Sequence, residues 1–288
     1  MKLLRFGPPG SERPGVLDPS GAIRDLSGLT HDIDGAFLAS DFYLQVGNAL
    51  DAGRLPIVTD PVRIGPPVTR PGKIIGIGLN YRDHAAELGV AAPLEPIVFL
   101  KASSSVVGPY DDIEMPAGST QTDWEVEMGV VVGSRLRHCP DPVAALRSIA
   151  GYVAANDVSK RDLQLNHGPT WDKGKSCDTF CPVGPWLVTP DEIENPAELG
   201  LELSVNGELR QSSCTDQMIF GVGELLVFLS RYMTLEPGDL ILTGTPGGVA
   251  MGRPEPKPYL REGDVVELRI SGLGGHRSAV RSSIGANA

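Results

Sequence analysis

The stretch Thr122–Gly133, TDWEVEMGVVVG, holds two signals that pull apart. Met128 to Val132 is apolar without alternation, the pattern of a strand buried on both faces. Just before it, Glu125 and Glu127 stand two residues apart. Alternate side chains of a strand share a face, so these carboxylates point one way and Trp124, Val126 and Met128 the other. Carboxylates about 6–7 Å apart on one face repel unless water or a cation screens them. A solvated edge strand explains the pair taken alone. A divalent cation explains why the pair leads straight into a buried run.

Working outward, the 288 residues suffice for one large or two unequal domains. Thirty-five glycines and 25 prolines predict many turns and short strands rather than long helices. The net charge of −11 argues against general affinity for nucleic acid or an anionic membrane surface. No apolar run approaches the roughly 20 residues of a membrane span, and MKLLRFGPPGSERPG lacks a signal-peptide core. A cytoplasmic protein is expected. Cys139, Cys177, Cys181 and Cys214 fit free thiols. The C-x3-C pair at 177 and 181 has no second pair at zinc-like spacing.

Residues 1–70 alternate short apolar runs with turns and are expected to form a small α/β domain. Pro66 to Gly72 is the linker candidate, and 71–288 is the larger unit. Strands are predicted at 73–79, 97–101, 125–132, 149–156, 201–205, 240–243 and 265–270. Helices are predicted at 81–88, 142–149 and 222–232.

Chemistry-bearing residues gather where these strands end. In NYRDHAAELG, His84 and Glu87 lie at i and i+3 of the predicted helix, within reach of each other. A carboxylate beside an imidazole orients the ring, as a water-activating pair requires; an incidental surface pair reads the same. Asp157 follows a run of small and apolar residues and is equally readable as a helix cap or a ligand. With Glu125 and Glu127 it makes an all-oxygen set, which favours Mg²⁺ or Mn²⁺ over zinc. Lys101 in IVFLKASSS and Lys175 in WDKGKS either snorkel outward or bind an anion. GDLILTGTPGGVAMG runs a strand into a loop of glycines and threonines whose amides could hold a carboxylate. His31, His138, His167 and His276 read as surface or packing residues.

Taken in order, GLNYRDHAAE, PIVFLKASSSVVGP, DWEVEMGVVVG, NDVSKRDLQ, WDKGKSCDTFCPVGPW, VNGELRQ and LILTGTPGGV resemble the fumarylacetoacetate hydrolase family from about residue 73 onward. GVAMG and PYLREGDVVELRISGLG look like a bacterial branch that includes 2,4-diketo-3-deoxy sugar-acid hydrolases and acylpyruvases. The resemblance implies an α+β, predominantly β fold, a mixed β-roll or pseudo-barrel, usually as a homodimer with Mg²⁺ or Mn²⁺. It implies Glu125, Glu127 and Asp157 as metal ligands, and His84 and Glu87 as a catalytic pair on a lid helix with Lys175 beside them. Lys101, Arg161, Gln164 and Thr245 fall on substrate-lining segments.

The reaction implied is cleavage of a 2,4-diketo acid, acylpyruvate or sugar acid, to pyruvate and a carboxylic acid. The same metal site also serves oxaloacetate decarboxylation or tautomerisation, or isomerisation of a 2-hydroxyhepta-diene-dioate. A non-catalytic binding protein on this fold would be expected to lose the acid–base pair or a ligand, and neither is missing here.

Overall fold

A computed structural model describes residues 1–283. Its spine is a mixed sheet ordered Ile23–Asp25, Arg13–Leu17, Lys2–Phe6, Cys181–Val188, Ile149–Asn156, Val126–Val132, Leu240–Leu242, Ile74–Gly78, Ile97–Lys101. Along this order neighbours run antiparallel except Leu240–Leu242 beside Ile74–Gly78. A second sheet is ordered Glu208–Cys214, Gly200–Val205, Val265–Ile270, Gly274–Ser282, Ile113–Met115.

The central strand explains the opening stretch. Val126, Met128, Val130 and Val132 face a core completed by Leu201, Leu203, Val205, Val266, Leu268 and Ile270 of the second sheet. Val131 faces a different core, made with Phe37, Leu38, Phe42 and Val46 of the N-terminal helices. A strand covered on both faces needs no polar alternation. The boundary near residue 70 is crossed by this second core and by the pairing of Lys2–Phe6 with Cys181–Val188.

The predicted strands at 97–101, 149–156 and 265–270 and the helix at 222–232 match the structure end to end. The helices predicted at 81–88 and 142–149 are shorter, Arg82–Glu87 and Pro142–Leu146. The strand predicted at 125–132 begins at Val126, because the Glu125 amide turns to donate to Asn156 Oδ1 at 3.0 Å. Cys181–Val188, Glu208–Cys214 and Gly274–Ser282 carry no clear alternation and stand as strands without having been predicted. Among the described residues no helix is long and apolar enough to cross a membrane.

Candidate active site

Two neighbouring strand ends bring three carboxylates together. Val126–Val132 brings Glu125 and Glu127, and the neighbouring Ile149–Asn156 ends one residue before Asp157. One carboxylate oxygen from each of the three lies within 4.8 Å of the other two. Glu125 is 5%, Glu127 1% and Asp157 0% exposed, so the solvated-edge reading is excluded. Asp157 is no helix cap either: the helix Arg161–Leu165 has Lys160 in that position.

Cations converge on this cluster. Lys175 Nζ lies 2.6 Å from both Glu125 Oε2 and Asp157 Oδ2. Lys101 Nζ lies 2.6 Å from Asp157 Oδ1. Arg161 reaches Glu125 Oε1 through Nη2 at 2.7 Å and Asp123 Oδ2 through Nε at 2.9 Å. Among the described residues, that leaves Glu127 with one hydrogen bond, from the Gly244 amide at 2.7 Å.

The two glutamates therefore differ sharply. Burial pushes the Glu125 carboxyl up, but Lys175 and Arg161 outweigh it and hold it at about 2. Burial, then Asp157 and Glu125, push the Glu127 carboxyl well above the usual range. Burial disfavours the Lys175 ammonium, yet Asp157 and Glu125 overcome that and raise it. A buried carboxyl that lacks a counter-charge, beside two oxygen donors, fits a hard divalent cation held by Glu125, Glu127 and Asp157. With no sulfur or imidazole in the set, Mg²⁺ or Mn²⁺ suits it.

The helix Arg82–Glu87 carries His84 and Glu87 on one face. His84 Nδ1 lies 3.2 Å from Glu87 Oε2, and Glu87 also accepts from the Gly248 amide at 2.9 and 3.0 Å. Burial opposes ionisation of Glu87, but the bonds from His84 and Gly248 hold its carboxyl below the ordinary value. With Nδ1 engaged, Nε2 is the nitrogen His84 can offer to substrate. Asp83 ties the same helix down, accepting from Ser213 Oγ and from the Gly247 amide. Leu79, at φ 55°, makes the turn into the helix, a conformation uncommon for a non-glycine residue. Asn80 holds that turn, donating to Thr243 O at 2.8 Å and accepting from the Phe220 amide at 2.9 Å.

His84, Glu125, Glu127, Arg161, Gln164, Lys175 and Thr245 line one cavity of about 220 Å³. Gln164 is held by Arg161 Nη1 at 2.9 Å. The Thr245 hydroxyl is already committed: it donates to Val126 O and accepts from Gln211 Nε2. Glu87 stands behind His84. Lys101 sits behind Asp157, at 0% side-chain exposure, and is not among the lining residues. The 253–259 stretch does not line the cavity; Lys257 and Tyr259 border a separate cleft with Met115 and Ser119.

Two supporting residues escaped the sequence reading. Asp123 anchors Arg161 and accepts from the Ala250 and Met251 amides at 2.8 and 3.0 Å. Gln211 joins the Val126 amide to Thr245 and Pro246. Trp171, Phe99 and Leu88 also line the wall; they lie within the quoted stretches WDKGKS, IVFLKASSS and NYRDHAAELG but were not singled out there.

Known proteins resemble this chain in sequence and fold. The family model for the C-terminal part of fumarylacetoacetate (FAA) hydrolase matches residues 73–281. A Burkholderia multivorans protein with a provisional hydrolase name is 52% identical over 283 residues, spanning 98% of this chain and 100% of that protein. Maleylpyruvate hydrolase from Sphingobium sp. SYK-6, solved with manganese(II) and pyruvate, is 29% identical with a TM-score of 0.81, covering 98% of this chain and 100% of that one. The 2-hydroxyhepta-2,4-diene-1,7-dioate isomerase of Mycobacterium marinum is 32% identical with a TM-score of 0.75, covering 99% of each chain. With a family match across most of its length and a relative above half identity, this chain belongs to the fumarylacetoacetate hydrolase family.

Proposed function

We propose that the chain is a divalent-metal-dependent hydrolase that cleaves a carbon–carbon bond of a 2,4-diketo acid, giving pyruvate and a carboxylic acid. The observation that carries this reading is the placing of a Glu87-oriented His84 on the same cavity as the buried Glu125–Glu127 carboxylates.

When bound by Glu125, Glu127 and Asp157, the ion supplies Lewis-acid polarisation of the substrate's α-oxo acid oxygens. His84 takes a proton at Nε2 from a water that attacks the C4 carbonyl. Glu87 fixes the ring tautomer through Nδ1 and stabilises the imidazolium that forms. The new bond joins the water oxygen to C4, and the C3–C4 bond breaks with its electron pair on C3. The hydroxyl stays on the acyl fragment, which leaves as a carboxylic acid. The proton held by His84 passes to C3, completing the methyl group of pyruvate. Lys175 acts as a fixed positive charge rather than a base, since its carboxylate neighbours hold it protonated.

Acylpyruvates incubated with Mg²⁺ or Mn²⁺ should release pyruvate, and EDTA should stop the release. Absence of metal-dependent turnover on every acylpyruvate tried would overturn the reading. A second reading, enolate chemistry without a water nucleophile, draws support from the likeness to the diene-dioate isomerase. Loss of diene absorbance without acid release would mark isomerisation, and carbon dioxide from oxaloacetate would mark decarboxylation. A homodimer belongs to the same proposal and is checked by light scattering.

A further inference from the structure

We propose that the end of the cavity remote from the carboxylates selects an uncharged, apolar distal group, so that the preferred substrate carries an alkyl or aryl tail rather than a second carboxylate or a polyhydroxylated chain. This rests on the 2-oxo-acid reading above and adds a direction to it.

The strand Ile97–Lys101 works as a ruler. Its exposure alternates, with Val98 and Leu100 outward and Phe99 and Lys101 buried, so residues 97, 99 and 101 share the inner face. Lys101 marks the acidic end through its bond to Asp157. Phe99 marks the middle, with Lys175 Nζ 4.8 Å from its ring centroid. Ile97 lies two residues further, roughly 13 Å along the strand from residue 101. Polarity thus falls steadily from one end of the site to the other.

The strand beside it makes room for aromatic rings. Gly76 and Gly78 pair with Phe99 and Ile97. A Cβ at Gly76 would meet the Phe99 ring at 2.2 Å, and one at Gly78 would meet the Trp171 ring at 2.3 Å. Phe99 and Trp171 pack with centroids 5.7 Å apart. Leu88 follows His84 by one helical turn and continues the same side of the cavity. Val90 and Leu165 close the rim.

The polar inventory points the same way. The only lysine or arginine side chains among the lining residues are Arg161 and Lys175, and both are held by carboxylates at the acidic end. A distal carboxylate would lose its water with no cation to replace it, whereas each buried methylene gains about fourfold in affinity.

Calorimetry with Mg²⁺ and non-cleavable 2-oxo acids tests this apart from catalysis. Pyruvate, 2-oxohexanoate and 2-oxoadipate share a head group and differ in the tail. We expect 2-oxohexanoate to bind on the order of 10- to 50-fold more tightly than pyruvate, and 2-oxoadipate no better than pyruvate. Ile97→Arg, with Leu165→Arg at a half-exposed position as the variant safer for folding, should reverse that order. Equal or tighter binding of 2-oxoadipate to the unaltered protein would overturn the inference while leaving the 2-oxo-acid site standing. If pyruvate itself fails to bind, the underlying reading falls and takes this one with it.

Discussion

The acidic cluster and the His84 helix meet across one cavity but are built in opposite ways. Glu125, Glu127 and Asp157 stand at the ends of adjacent central strands, buried and locked by Lys101, Lys175 and Arg161. The helix Arg82–Glu87 has six residues, too few to be stable alone. It is held by tethers: Asp83 to Ser213 and Gly247, and Glu87 to Gly248. Fixed charge is carried by the rigid frame, whereas the imidazole proposed for proton transfer rides on a short, tethered element. In the proposed reaction the frame would set where a hard cation and an α-oxo acid sit. The helix would then decide whether a water beside them is activated.

The sharpest way to break this division is His84→Ala. Pyruvate release should fall about 10³-fold, the usual scale for a general base. Mg²⁺ affinity measured by calorimetry should be unchanged, since the frame holds the ligands. A parallel loss of metal would merge the two regions into one.

Glu125→Ala attacks the frame. It removes one of two carboxylate partners from each of Lys175 and Arg161, leaving Asp157 and Asp123, so chemical denaturation should show a loss of about 3 kcal/mol as well as loss of metal.

His276 probes the same frame from behind. Its Nε2 lies 3.1 Å from Ala154 O and 2.8 Å from Gly184 O, and burial depresses its pKa to about 4. An unfolded histidine protonates near 6.5. Below that pH the unfolded chain takes up the proton first, so stability should decline as pH falls from about 6.5 towards 4, by roughly 3 kcal/mol in all. His276→Gln should flatten that decline, measured as the urea midpoint against pH.

Glu127→Gln separates the two glutamates. The amide oxygen can still accept from Gly244, while a carboxyl whose ionisation burial and its neighbours disfavour is replaced by a group that stays neutral. The metal-free protein should melt a few degrees higher, and the rise in Tm on adding Mg²⁺ should vanish. If the variant melts lower, Glu127 is better compensated than its neighbours imply.

The smallest effect belongs to a tether. Ser213→Ala removes one bond to Asp83, at a cost of about 1 kcal/mol. It should appear as faster hydrogen exchange in residues 82–87 with the rest of the chain unmoved.

Much of the site was legible because oxygen ligands, an i, i+3 His–Glu pair and strand ends are local patterns. Asp157 was legible only as one of two options; the helix start at Lys160 removes the cap, and burial beside Lys101 and Lys175 supports the ligand role proposed above. Lys101 and Lys175 read alike in sequence, yet one lies behind the carboxylates and the other faces the cavity. Asp123 and Gln211 were missed because their partners lie 38 and 85 residues away, beyond any window of periodicity. The strand Cys181–Val188 was missed because its prolines and glycine read as a turn.

The sequence by itself determined residue chemistry and local conformation: which side chains can ionise, which runs must be buried, and where strands stop. Only the tertiary structure decided which charges meet. Sheet pairing brings residues 125, 127 and 157 together, and the electric field at each carboxyl depends on neighbours from other strands. That is why two glutamates two positions apart, nearly identical in sequence context, lie on opposite sides of the ordinary carboxylate range.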